Sequence, residues 1–189
     1  MHALKRAFFA IALGAAAAPL SAQAGGYDGA QFVESIRKGD GGKALELLQA
    51  QPGLVNARDL NGTTALIAAI QEHDMQWAGY LLQQGADPNL SLSDGETPLM
   101  AASRLGMQDV VDWLIGLNAR VDDTNRKGET ALIIAVQQRK AAIVKRLLDA
   151  GADPDRSDSA AGYSARDYAK RDSRTPEMLR LIEAKVPSS

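Results

Sequence analysis

Asp94 to Asp122 reads DGETPLMAASRLGMQDVVDWLIGLNARVD, and its landmarks return before and after it at one spacing. Turn glycines stand at Gly62, Gly95 and Gly128, with threonines two residues later at Thr64, Thr97 and Thr130. Gly85, Asn118 and Gly151 follow the second apolar run. Each step is 33 residues, and self-similarity at a fixed period of this size signals a stacked-repeat architecture.

The residue types within the unit explain its shape. Thr64, Thr97, Thr130 and Ser164 each offer a hydroxyl that accepts from the free amides of a helix's first turn, and Pro98 stands where a helix tolerates a missing N–H. They start a first helix. Val110, Val111, Leu114 and Ile115 recur at helical spacing and form the buried stripe of a second helix. That helix must exit through a left-handed residue, which glycine accepts without penalty and asparagine tolerates next best; Gly85, Asn118 and Gly151 are those types.

The segments TPLMAA (Thr97 to Ala102), TALIAA (Thr64 to Ala69) and TALIIA (Thr130 to Ala135), with LLQQGADPN (Leu81 to Asn89) and LLDAGADPD (Leu147 to Asp155), resemble the ankyrin-repeat family. The resemblance covers nearly all of the chain after its first two dozen residues. It implies an all-α solenoid of stacked helix-turn-helix units joined by protruding turns. The histidine that the family carries after Pro-Leu is replaced by Ile67, Met100 and Ile133, so the inter-repeat hydrogen bonds of that histidine are not expected.

Residues 1–24 read as a cleavable secretory signal: Lys5 and Arg6 precede an apolar run from Ala7 to Ala18, and Ala22-Gln23-Ala24 supplies an A-x-A cleavage site. The run is short for a membrane span. The expected mature chain begins at Gly25 and lies in the periplasm, with no membrane attachment after cleavage. Without cysteine it has no lipoprotein anchor, no disulfides and no thiolate metal site, so stability must come from packing between repeats. Removing Lys5 and Arg6 from the 21 basic residues leaves 19 against 23 acidic ones, a net charge of −4. That balance argues against nucleic acid as a partner.

One domain of five repeats is expected over 25–189, at about 27–58, 59–91, 92–124, 125–158 and 159–186. Five exceed the three or so that bury a continuous core. The first lacks the threonine start. The last slips by one residue, since Gly162 follows Gly128 by 34, and its Arg166, Lys170, Arg171, Arg174 and Arg180 read as a solvated closing face.

Little in the sequence points to catalysis, and no catalytic, cofactor or metal residue is assigned. His73 is alone in the mature chain, at a turn between helices, and a metal site needs three or four such ligands. No G-x-S-x-G context exists for a triad. The spaced glycines match neither a G-x-G-x-x-G nor a Walker pattern. Asp87, Asp122, Asp123, Asp153 and Asp155 fall on loops, where aspartate holds turns. Tyr80, Trp113 and Arg146 share one place in successive repeats and should line the seam of the second helices.

The resemblance places the binding surface on the protruding turns and the exposed ends of the first helices. Those positions are Leu60, Asn61, Thr63, Gln71 and Glu72 in the second repeat, then Ser93, Asp94, Glu96, Arg104 and Leu105 in the third. In the fourth they are Arg126, Lys127, Glu129, Gln137 and Gln138. The expected function is a monomeric, non-enzymatic module that binds a protein partner through this concave face. One alternative makes it an inhibitor, immunity factor or folding accessory of a periplasmic enzyme. Another makes it a hydrolase acting through loop carboxylates.

Overall fold

The computed structural model describes residues 25–185; the expected signal segment and the last four residues lie outside the described residues. Ten α-helices follow one another among the described residues: α1 (Gly25–Arg37), α2 (Gly41–Ala50), α3 (Ala65–Gln71), α4 (Met75–Gln83), α5 (Pro98–Leu105), α6 (Gln108–Gly116), α7 (Ala131–Gln137), α8 (Ala141–Asp149), α9 (Ala165–Arg171) and α10 (Pro176–Lys185). A 3-10 turn at Pro52–Asn56 follows α2. The helices pair, and the pairs stack. The first helices α1, α3, α5, α7 and α9 form one layer, and α4, α6, α8 and α10 form the other.

Capping chemistry fixes where each first helix begins. Thr64, Thr97 and Thr130 accept through Oγ1 from the amides of Ile67, Met100 and Ile133. Ser164 accepts from the Asp167 amide while the Asp167 carboxylate accepts in return from Ser164 N, a reciprocal capping box. The second helices end as the residue types require: Gly85, Asn118 and Gly151 have φ of +89°, +62° and +91°.

Stacking explains the composition of α3, α5 and α7. Each has a neighbouring pair on both sides, so runs such as Ala65 to Ile70 and Ala131 to Val136 are buried on every face. Ile67, Met100 and Ile133, at the family's histidine place, are each at most 1% exposed; apolar packing takes over from that side chain's hydrogen bonds. A single hydrophobic core runs from Phe32 in α1 to Ile182 in α10.

Both ends depart from the regular unit. In the first repeat, helix replaces the protruding turn: α1 begins at Gly25, and Gly29 lies so close to Ala57 that an added Cβ would sit 3.0 Å from its Cβ. In the fifth, the extra residue sits in the turn itself. Asp158 N reaches the carbonyl of Tyr163, five residues on, whereas Asn125 N reaches Glu129, four residues on.

One expectation at the C-terminal end is corrected. Arg166 is not part of a solvated closing face; it is buried, and its guanidinium grips Asp155 with Nε–Oδ1 at 2.6 Å and Nη2–Oδ2 at 3.1 Å. The α9 helix turns this position inward onto the preceding inter-repeat loop, where a carboxylate compensates the buried charge. Lys170, Arg171, Arg174 and Arg180 remain exposed.

Candidate binding face

Four turns project along one edge of the stack, and each is closed from within. Asp59 N, Leu92 N, Asn125 N and Asp158 N donate to the carbonyls of Thr63, Glu96, Glu129 and Tyr163 at 2.8–3.1 Å. Side chains reinforce all four: Asp59 Oδ1 accepts from Asn61 N and Thr63 N, Asp94 Oδ1 from Glu96 N, Asn125 Oδ1 from Lys127 N and Glu129 N, and Asp158 Oδ1 from Ala161 N and Gly162 N. The carboxamide or carboxylate thus mimics a backbone turn.

The tips are also tied to one another. Arg126 N donates to Asp94 O and Ser159 N to Lys127 O, both at 2.8 Å, and Ser93 Oγ donates to Asn61 O at 3.3 Å. Gly128 makes the last approach possible. Its φ is +74°, and a Cβ there would stand 2.6 Å from Ser159 N.

On this scaffold the fifteen sequence-derived positions divide. Leu60 is 94% exposed, and Asn61, Gln71, Glu72, Ser93, Asp94, Arg126, Lys127 and Gln138 are also exposed. Thr63 is corrected: it is 6% exposed, because its amide and carbonyl close the turn through Asp59 and its side chain follows them inward. Leu105 is half-buried against the core, so Leu60 is the apolar residue that the tips present. Glu96 and Arg104 are engaged with each other, Arg104 Nε to Glu96 Oε1 at 3.0 Å. Glu129 accepts from Asn125 Nδ2, and Glu129 and Gln137 are half-buried.

Two residues complete this row: Tyr163, which the sequence reading passed over, and Arg171, which it placed on the solvated closing face rather than among the binding positions. Arg171 lies 4.4 Å above the centre of the Tyr163 ring, a cation–π contact. Glu96 to Arg104 and Tyr163 to Arg171 are both steps of eight residues, each linking a tip to the end of its own first helix. The slip in the fifth repeat hid the match; searching for the eight-residue pair instead of the 33-residue period would have found it. At the other end, Arg37 donates to Asp59 at 2.7 Å. Burial raises the Asp59 pKa, but the Thr63 and Asn61 amides and Arg37 outweigh it and hold the carboxyl below its usual value. A shallow groove of about 530 Å³ lies beside it, lined by Tyr27, Gln31, Glu34, Lys38, Leu60 and Asn61 among others.

The remaining candidate chemistry is occupied by turn-making. Asn56, Asn89 and Asp122, each 33 residues apart, accept through Oδ1 from the amides of Asp87, Arg120 and Asp153 one repeat on. Asp153 accepts from Asp155 N and Asp123 from Arg120 Nε. His73 is exposed with φ of +57°, at the inter-helix turn. Among the described residues no three His, Cys, Asp or Glu side chains gather into a metal-binding group. No helix among them is long and apolar enough to cross a membrane. The seam of the second helices is built pairwise: Tyr80 meets Trp77 edge to face at 5.3 Å, Trp113 lies against Gly79, and Arg146 donates to Asp112 at 2.6 Å.

A profile of the family described as ankyrin repeats, three copies, matches residues 33–125 and 80–158. The chain belongs to the ankyrin-repeat family. It is 29% identical over 170 residues to the ANK repeat-containing protein nipk-1 of Caenorhabditis elegans, covering 78% of this chain and 28% of that protein. It is 34% identical over 115 residues to a putative ankyrin repeat-containing protein of Treponema pallidum, covering 60% and 38%. A bovine mitochondrial disaggregase is 34% identical over 164 residues, covering 82% and 23%. The ankyrin chain described here thus spans between about a quarter and two fifths of the length of these relatives.

Proposed function

We propose that this chain is a non-enzymatic module that binds a protein partner through the concave face carrying the tips and the ends of α3, α5 and α7. The observation that carries this reading is rigid presentation. Asn61, Arg126 and Lys127 leave their side chains to solvent while their backbones are bonded within and between turns, and exposed Leu60 stands between Asp59 and Asn61, whose backbones are both bonded. Little ordering entropy then opposes association. The module works in the periplasm as a monomer, exported by residues 1–24; the basic start, apolar run and Ala22-Gln23-Ala24 support export.

The test is a pull-down from periplasmic extract with tagged Gly25–Ser189, beside a bait carrying Leu60→Glu and Arg126→Glu. Capture by the first bait and loss from the second is the expected result. Equal capture by both moves the site off this face, and capture by neither removes the reading. N-terminal sequencing of the secreted protein checks the export step, with Gly25 the expected first residue.

A further inference from the structure

Charge is distributed unevenly along the stack. From Gly25 to Thr124 there are 6 Lys and Arg against 14 Asp and Glu, a net −8; from Asn125 to Lys185 there are 13 against 9, a net +4. Pairing sharpens the division. In the first three repeats Arg37, Lys38, Lys43, Arg104 and Arg120 each meet a carboxylate, and Arg58 donates to the carbonyls of Gly62 and Ser91. Every described cation lacking both kinds of partner comes after Thr124.

Three of these cations share the binding face. Arg126 and Lys127 form the exposed tip of the fourth repeat. That tip is bonded to the fifth through Ser159 N and Lys127 O, and the fifth turn carries Tyr163 beneath Arg171. Nearby, Asp172 accepts from both Arg139 and Arg174, two cations on one carboxylate. Among the described residues no carboxylate lies within ion-pair distance of Arg126, Lys127 or Arg171, and unpaired like charges on one face favour an anionic partner.

We propose that Arg126, Lys127 and Arg171 form a docking patch for an acidic, extended segment of the protein partner, fixing its direction along the stack. This rests on the reading of the face as a protein-binding surface and adds the chemistry of the partner. Charge complementarity selects the occupant. The cations attract Asp and Glu side chains, while the −8 of the first three repeats turns the acidic stretch toward the C-terminal end. A nucleic acid suits the face less well. Its backbone would run on into that negative region, and the Tyr163 ring on which a base could stack is covered by Arg171.

The experiment is fluorescence anisotropy with protein expressed from the full-length sequence and a labelled peptide of eight glutamates as the probe, in low salt. The wild type is expected to bind it, whereas binding of an eight-lysine peptide, drawn to the acidic first three repeats, should not fall when the three cations are removed. Arg126→Glu/Lys127→Glu/Arg171→Glu is expected to weaken binding by about tenfold or more, with raised salt acting in the same direction. A control with the same charge change elsewhere, Lys145→Glu/Arg156→Glu/Arg180→Glu, should stay within about threefold. Should the triple variant unfold, Arg126→Glu/Lys127→Glu serves instead, because those two side chains are exposed and only their backbone atoms are bonded in the turns. Equal loss in patch and control variants overturns the proposal, as does tighter binding of an eight-residue thymidine oligonucleotide than of the glutamate peptide, or wild type that fails to bind the peptide. A partner captured in the pull-down that depends on Leu60 but not on the three cations would sink the acidic patch and leave the protein-binding reading standing.

Discussion

Repeats two to four and repeat five solve the same packing problem with different chemistry. In α3 and α7 the first six positions after the cap are alanine, leucine, isoleucine or valine, and in α5 they are proline, leucine, methionine, alanine and one serine, Ser103; all are buried and none is charged. The corresponding helix α9 reads ARDYAKR. Its buried Arg166 is held by Asp155, and its Tyr168 hydroxyl donates to the buried Asp158 at 2.6 Å. An interior pair has neighbours on both sides and buries apolar surface against each; a terminal pair has one, so polar side chains can reach solvent or a paired charge. The middle of the stack should therefore respond to changes in volume, and its end to changes in charge.

The largest effect is expected at Leu114, which is fully buried on α6 in the central pair. Leu114→Ala should cost about 2–5 kcal/mol, lowering the melting temperature by roughly 5–15 °C and broadening the transition as the stack loses its central coupling. A melting temperature unchanged within error would contradict the placement of Leu114 in the stack. The next effect separates conformation from contact. Gly128→Ala meets both a left-handed φ and the backbone of Ser159, while Gly85→Ala meets a φ of +89° with nothing within 4 Å. Gly85→Ala should cost about 1 kcal/mol and Gly128→Ala about 2–3 kcal/mol. Equal costs in urea titrations would mean that the tips do not hold each other.

The sequence reveals the middle repeats so plainly because three independent constraints recur in phase: a hydroxyl at the cap, an apolar stripe and a left-handed exit. Each leaves its residue type at a fixed offset. The ends are less legible because they lose one constraint each. Arg166 reads as a surface residue until the loop bearing Asp155 is folded over it. Thr63 looks available because its neighbours Leu60 and Asn61 are, yet closing the turn through Asp59 buries it. Which cations are paired depends on contacts such as Arg139 with Asp172, 33 residues apart, and composition alone does not supply them.

Polar chemistry in the fifth repeat gives an intermediate effect. Burial, Tyr168 and the amides of Ala161, Gly162 and Tyr163 act on Asp158; burial pushes its pKa up, and the hydrogen bonds outweigh it, leaving it below the usual carboxylate value. The same bond pushes the Tyr168 phenol up to about 12. Tyr168→Phe removes one of the bonds to a buried carboxylate and should cost about 1–2 kcal/mol at neutral pH, with the deficit relative to wild type shrinking as pH falls below about 3.8, because the depressed Asp158 pKa contributes stability only above that value. A destabilisation independent of pH would assign the loss to packing instead.

The smallest change is read by a pH titration. Asp149, Asp155, Asp158, Asp167 and Asp172 are all held below the usual carboxylate value, against Asp59 alone in the first three repeats. At Asp149 the bonds from Lys145 and Lys185 lower the pKa to about 2. A carboxylate whose folded pKa is depressed contributes stability above its unfolded pKa, near 3.8, and that contribution is lost as pH falls through the folded value. Between about pH 4 and pH 2 the fourth and fifth repeats should therefore loosen before the second and third. In a Tyr27→Phe/Tyr80→Phe background the chromophores report the two regions separately, since Trp77 and Trp113 lie in repeats two and three while the remaining Tyr163 and Tyr168 lie in repeat five. The near-ultraviolet tyrosine signal should move at higher pH than tryptophan emission; coincident curves would show that the interfaces transmit acid stress along the whole stack, making its end no more charge-dependent than its middle.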